Sequence, residues 1–138
     1  MTDGKRNINA VKNALATVGP VSAALLVTDN FMHYKGGIFS DSTCTGSDTP
    51  NHAIALVGYG TDSKRRDYFI LRNSWSENWG EKGYMRISQN NNMCSISSYV
   101  SYPILSKSQI STTPATSTTS RNNQGKIGYF LNSFRILN

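Results

Sequence analysis

The chain has 138 residues, with 14 Lys and Arg against 8 Asp and Glu and a net charge of +6. That length suits one domain, or two very small ones, and 38% hydrophobic residues sustain a core, which excludes wholesale disorder. No apolar run approaches the roughly 18 residues of a membrane helix, Met1-Thr2-Asp3-Gly4-Lys5 lacks the apolar stretch of an export signal, and neither an Asn-x-Ser/Thr acceptor nor an internal repeat occurs.

In chain order, Ile8, Val11, Leu15 and Val18 recur at helical spacing until Gly19-Pro20 stops the run, which predicts an amphipathic helix over roughly 7–18. Residues 21–27 form an apolar run of strand length. Asp29 is placed to cap a short helical turn through Tyr34, which Gly36-Gly37 breaks. Strands are predicted at 53–59, 68–71, 83–87 and 99–103. One helix followed by many short strands implies an α+β, mainly β chain built on an antiparallel sheet or barrel.

Composition changes after Pro103. Ten of the 19 residues from Ser106 to Gln124 are Ser or Thr and none is acidic, as in a linker or an O-glycosylated stalk. The last residues, 126–138, are mildly apolar, and Arg135 interrupts the tail that a lipid-anchor signal requires. The expectation is a folded unit over 7–103 and a basic, disordered tail over 104–138. Lys107, Arg121, Lys126 and Arg135 give that tail its charge, and the only dense cationic cluster elsewhere is Lys64-Arg65-Arg66 in a predicted turn. A solvated turn suits that cluster better than a phosphate-binding face, so no nucleic-acid partner is expected.

The turn Gly60-Thr61-Asp62-Ser63-Lys64-Arg65 joins two predicted strands. If the hairpin is symmetric about position 62.5, His52 faces Asn73, and directly opposed residues share a face. An Asn carbonyl that accepts one imidazole N–H fixes the tautomer and aims the other ring nitrogen at a partner. Cys-His-Asn is a known form of the triad arrangement. A His beside an Asn is also compatible with a satisfied polar pair of no catalytic use. His33, in Phe31-Met32-His33-Tyr34, reads as an exposed helical histidine.

The surrounding residues favour catalysis. Asn51-His52-Ala53 followed by Val57-Gly58-Tyr59-Gly60 resembles the histidine segment of papain-like cysteine peptidases. Asn73-Ser74-Trp75-Ser76-Glu77-Asn78-Trp79-Gly80-Glu81-Lys82-Gly83-Tyr84 is similar to that family's asparagine segment. Gly19-Pro20-Val21-Ser22, Tyr34-Lys35-Gly36-Gly37-Ile38 and Ser101-Tyr102-Pro103 match in the same order. The resemblance covers residues 7–103 and implies the β-barrel half, or right-hand domain, of the cathepsin-type fold. By position it makes His52 the catalytic histidine and Asn73 its orienter, with Trp75 covering their contact and Trp79 buttressing it. Asn51 stands where many members have Asp, and its backbone carbonyl would help hold substrate. Ala24, Pro50, Ala53 and Tyr99 fall where the family lines its S2 pocket; a bulky Tyr99 would make that pocket shallow, the alternative being that it packs into the core.

Cys44 and Cys94 occupy the positions of a family disulfide. Neither lies in a sequence that favours a reactive thiolate, and no spacing suggests zinc, so no metal or cofactor is expected. The family's nucleophile stands in a Cys-Gly-Ser/Ala-Cys-Trp/Tyr signature about 130–150 residues before the histidine. Only 51 residues precede His52 here, and the signature, the oxyanion Gln and the left-hand domain are missing from them. The expectation is therefore the C-terminal half of a cysteine endopeptidase, truncated, inactive alone and exposing the apolar face that meets the other half. Its partners would be a peptide or protein substrate once a left-hand domain completes it, and prodomain-like or cystatin-like inhibitors, in a lysosomal or extracellular setting. The alternative is a non-enzymatic domain that binds peptides or inhibitors.

Overall fold

The computed structural model describes residues 8–104 with their side chains and the backbone of 134–137. Helix α1 (Ile8–Thr17) buries Val11 and Ala14. It ends where Val18 and Gly19 both donate to the Ala14 carbonyl and Gly19 turns to φ +119°, a conformation glycine adopts freely. Val18, which the helical spacing assigned to the apolar stripe, lies past the helix end and is 51% exposed.

Strand β1 (Val21–Leu25) follows, then the short helix α2 (Asp29–Met32) and strand β2 (Ile38–Phe39). The cap of α2 is Thr28 rather than Asp29: the Thr28 side chain accepts from the Phe31 amide, as a hydroxyl at this position does. Strands β3 (His52–Thr61), β4 (Asp67–Arg72), β5 (Tyr84–Ser88) and β6 (Tyr99–Pro103) complete the part predicted from sequence, and β7 (Phe134–Leu137) adds a last one. The expected linker at 106–124 lies outside the described residues.

The seven strands form one sheet in the order β2-β5-β4-β3-β1-β6-β7. All neighbours are antiparallel except β2 and β5. The order is open, with β2 and β7 at its two ends, so the mainly β class stands while the barrel is not closed by strand pairing among the described residues. One face carries the core of Leu25, Leu56, Phe69, Leu71, Met85 and Ile87, all fully buried.

The β3–β4 hairpin departs from the symmetric register. Thr61 pairs with Asp67 and Gly58 with Ile70, so the turn centres near Lys64 rather than at 62.5. Asp62 explains the shift: its Oδ1 accepts from the amides of Lys64 and Arg66 at 3.0 and 2.8 Å. This side-chain-built turn leaves Arg65 at φ +58°. Between Leu56 and Gly58 the pairing then slips by one residue at Val57, a β-bulge, and resumes as Leu56↔Leu71 and Ala55↔Arg72. Because faces alternate residue by residue, the turn register carried on unbroken would have set His52 and Asn73 on opposite faces. The bulge restores them to the same one.

Candidate active site

His52 opens β3, and Asn73 follows the last residue of β4. Their side chains meet at 2.9 Å, His52 Nε2 to Asn73 Oδ1. The same Oδ1 accepts from the Ser74 backbone amide at 2.8 Å. A backbone N–H only donates, so the Asn73 atom it meets must be the oxygen, and the proton of the His52 contact must sit on Nε2. The neutral ring therefore keeps its lone pair on Nδ1, which has no hydrogen-bond partner among the described residues. Asn73 is 4% exposed and His52 half-buried.

Two tryptophans cover this pair. The Trp75 ring lies 5.0 Å from the His52 ring, tilted by 31°. Trp79 is buried and meets Trp75 edge-on at 5.4 Å. Its Nε1 donates to the Met32 carbonyl at 2.9 Å, which ties the cover to α2. Phe31, from that same turn, stacks on Trp79 at 5.4 Å and meets Trp75 edge-on at 5.8 Å. Water excluded by such a cluster cannot compete for the imidazole N–H, which strengthens the bond beneath.

The loops around the site are braced by short polar contacts. Asn51 Oδ1 accepts from the Val27 amide at 2.8 Å, and the Asn51 amide donates to the Leu25 carbonyl at 3.0 Å. The start of β3 is thus held to the end of β1 immediately before His52. Farther out, Asp41 is buried. It accepts from Thr28 Oγ1 at 2.7 Å, from Asn30 Nδ2 at 3.2 Å, and from the Thr43 amide and hydroxyl at 2.9 and 2.8 Å. Burial alone pushes its carboxyl up, but the hydrogen bonds from Thr28, Thr43 and Asn30 outweigh it and hold the group at about 2.

Ala24 faces Ala53 on one side and Tyr99 on the other, so these three form a row across β3, β1 and β6. Tyr99 is 58% exposed, which removes the core-packing alternative for it. Pro50 is half-buried in the loop before β3, beside the exposed Asn51. Next to the row, an open groove of about 520 Å³ runs past Pro20, Ser22, Ala53, Ala55, Arg72 and Ser74. His33 stands apart: it is exposed, and its Nδ1 lies 2.8 Å from the Asp29 carbonyl.

Cys44 and Cys94 are joined in a disulfide. Cys94 sits in a turn over Asn90–Ser95 in which Asn91, Asn92 and Cys94 all have φ near +50°. The buried Asn92 holds this turn: its amide donates to the Gly46 carbonyl and Ser98 Oγ, and its carbonyl accepts from the Ser97 amide and hydroxyl. Among the described residues, no group of three or more His, Cys, Asp or Glu is placed to hold a metal ion. No described helix is long and apolar enough to cross a membrane. Sequence reading missed the contributions of the Ser74 amide and Phe31. A backbone amide carries no sequence signal, and nothing in the sequence separates the buried Phe31 from the exposed Met32 beside it.

Residues 1–104 match the family described as papain family cysteine protease. The chain belongs to that family. Within this papain-like chain, 98 residues are 47% identical to cathepsin S of Mus musculus, over 69% of the chain and 28% of that protein. A cathepsin L-like protein of Caenorhabditis elegans is 45% identical over 97 residues, again 69% and 28% of the two chains. The structure of digestive procathepsin L 3 from the larval midgut of Tenebrio molitor superposes with a TM-score of 0.68 at 42% identity, covering 76% of this chain and 34% of that one. Bromelain from Ananas comosus, solved in complex with the E64 inhibitor, gives a TM-score of 0.58 at 34% identity, covering 64% and 41%. The papain-like chain thus spans under a third of the length of the cathepsins it matches.

Proposed function

We propose that these residues are the base-bearing half of a cysteine endopeptidase, with His52 as the catalytic histidine and Asn73 as its orienter. The observation that carries this reading is the His52–Asn73 contact with its tautomer set by the Ser74 amide, because it leaves Nδ1 for a reacting group. In the reaction, a cysteine thiolate from outside these 138 residues attacks the peptide carbonyl. His52, as imidazolium, gives its Nδ1 proton to the departing amine as the C–N bond breaks, and then takes a proton from the water that releases the acyl group. Trp75 and Trp79 shield the His–Asn bond. Ala24, Pro50, Ala53 and Tyr99 line the pocket for the second substrate residue, and the exposed phenol of Tyr99 makes it shallow. Asn51 presents its carbonyl to the substrate backbone. The groove past Ser22 and Ala55 is where a left-hand domain packs. Prodomain-like or cystatin-like segments occupy the same cleft, and the Cys44–Cys94 disulfide suits a lysosomal or extracellular compartment.

By itself the chain lacks the attacking thiol and is inactive. Mixing it with a separately produced left-hand domain, in the presence of a fluorogenic peptide, should restore cleavage that an alkylator blocks. His52→Ala should then lower turnover by about 10²–10⁴-fold, the usual contribution of a positioned general acid–base. Turnover by the chain alone, or restored turnover that ignores His52→Ala, would reject the assignment. Peptide or inhibitor binding without cleavage in the mixture would favour the non-enzymatic reading.

A further inference from the structure

The described element that lies beyond the family match is β7, and it does not stand apart from the sheet. It runs antiparallel to β6 with Val100↔Leu137, Ser101↔Ile136, Tyr102↔Arg135 and Pro103↔Phe134. In the strand order, β6 has β1 on one side and β7 on the other, so β7 covers what would otherwise be the edge of the sheet. An edge strand presents a row of backbone donors and acceptors to which any extended segment can pair. Pro103 lacks an N–H and so blunts the last position of β6, and because the N–H and C=O of successive strand residues point to opposite sides, Val100, Ser101 and Tyr102 present theirs alternately to β1 and to the outer edge.

We propose that the outer edge of β6 is a strand-accepting site for an extended segment of the Phe-Arg-Ile-Leu type, which this chain fills with its own C-terminal strand. The choice of occupant rests on three observations. Residues 134–137 already hold the register. Phe134 and Ile136 are residue types that suit strands, with neither Gly nor Pro among the four. The tether of residues 104–133 starts and ends on one paired position, Pro103 and Phe134, so pairing is unimolecular. Closure entropy grows only slowly with the number of residues between the paired ends, and covalent linkage gives the internal strand an effective concentration that a free peptide at micromolar concentration does not match. The site is independent of the peptidase reading, since it uses neither His52 nor Asn73.

The test uses the full chain and a fluorescent peptide with the sequence of residues 130–138. Ile136→Pro fixes φ near −65° and sets a ring in the middle of the internal strand, which breaks its pairing and frees the edge. The variant should bind the peptide at least tenfold more tightly than the wild type, and a peptide carrying the same Ile136→Pro change should not bind. Equal binding by wild type and variant, including none by either, overturns the proposal, as does equal binding of the two peptides. Should Ile136→Pro disturb the fold, hydrogen exchange on the wild type and on a Phe134→Ser, Ile136→Ser, Leu137→Ser variant decides. Of the amides of residues 100–102, those that point to β7 should exchange at least tenfold faster in the variant while those that point to β1 keep their rate, and unchanged exchange at all three overturns the proposal.

Discussion

Asn73 accepts twice through one oxygen, and this double use, more than nearness alone, gives His52 a defined tautomer. The proton on His52 Nε2 should therefore appear in NMR spectra as a slowly exchanging, downfield imidazole signal. Asn73→Ala should abolish that signal, and Trp75→Ala should leave it visible only at low temperature, because the 5.0 Å ring cover is gone. Asp41 makes a separate prediction. Its folded-state value of about 2 lies below the ordinary 3.8, so its contribution is fully present above pH 4 and is lost as pH falls through about 2. That contribution is on the order of 2 kcal/mol. In acid titrations followed by urea unfolding, Asp41→Asn should be the less stable protein at pH 7 and should show a flatter decline between pH 4 and 2. At this scale the sequence was informative where identity alone decides chemistry, as with His52 and Asn73. It was blind to the Ser74 amide and to the four donors on Asp41, which only tertiary structure gathers.

At the scale of elements, apolar runs marked β1, β3, β4, β5 and β6 because strand burial leaves that pattern, and Gly19-Pro20 marked the end of α1. Two residues are too few to form a pattern, so β2 stayed invisible. The hairpin register was misplaced because Gly60 drew the turn toward itself, while the structure builds the turn on Asp62 through its own side chain. The misplaced register still set His52 opposite Asn73, and the true one brings them together only after the slip at Val57. Deleting Val57 removes the one residue of β3 without a counterpart and makes Gly58↔Ile70 and Leu56↔Leu71 consecutive pairs, so His52 stays on the face of Asn73 and the imidazole N–H signal should persist in NMR spectra of the deletion variant. Arg65 holds φ +58° in the turn, a left-handed conformation that costs a non-glycine residue about 1–2 kcal/mol. Part of that gain is offset by the freer unfolded chain of glycine. Arg65→Gly should raise stability by about 0.5–1 kcal/mol in urea unfolding.

For the whole molecule, the Cys44–Cys94 bridge links residues 50 positions apart and ties the loop before β3 to the turn before β6. In the chain-entropy view a closed loop of that length contributes about 4 kcal/mol. The Cys44→Ser, Cys94→Ser variant should lose about 2–5 kcal/mol, read by denaturant unfolding under oxidising conditions. The pairing was legible only through family resemblance, since two cysteines at such a distance carry no geometry of their own. Resemblance, however, had nothing to say about residues 134–137, which fall outside it. The aromatic cluster also gives this protein an optical property. Both of its tryptophans stand in a single cluster, at right angles and 5.4 Å apart, against the imidazole and Phe31. Intrinsic emission therefore comes from one place only, and a red shift during denaturation times the dismantling of the His52–Asn73 corner rather than an average over the chain.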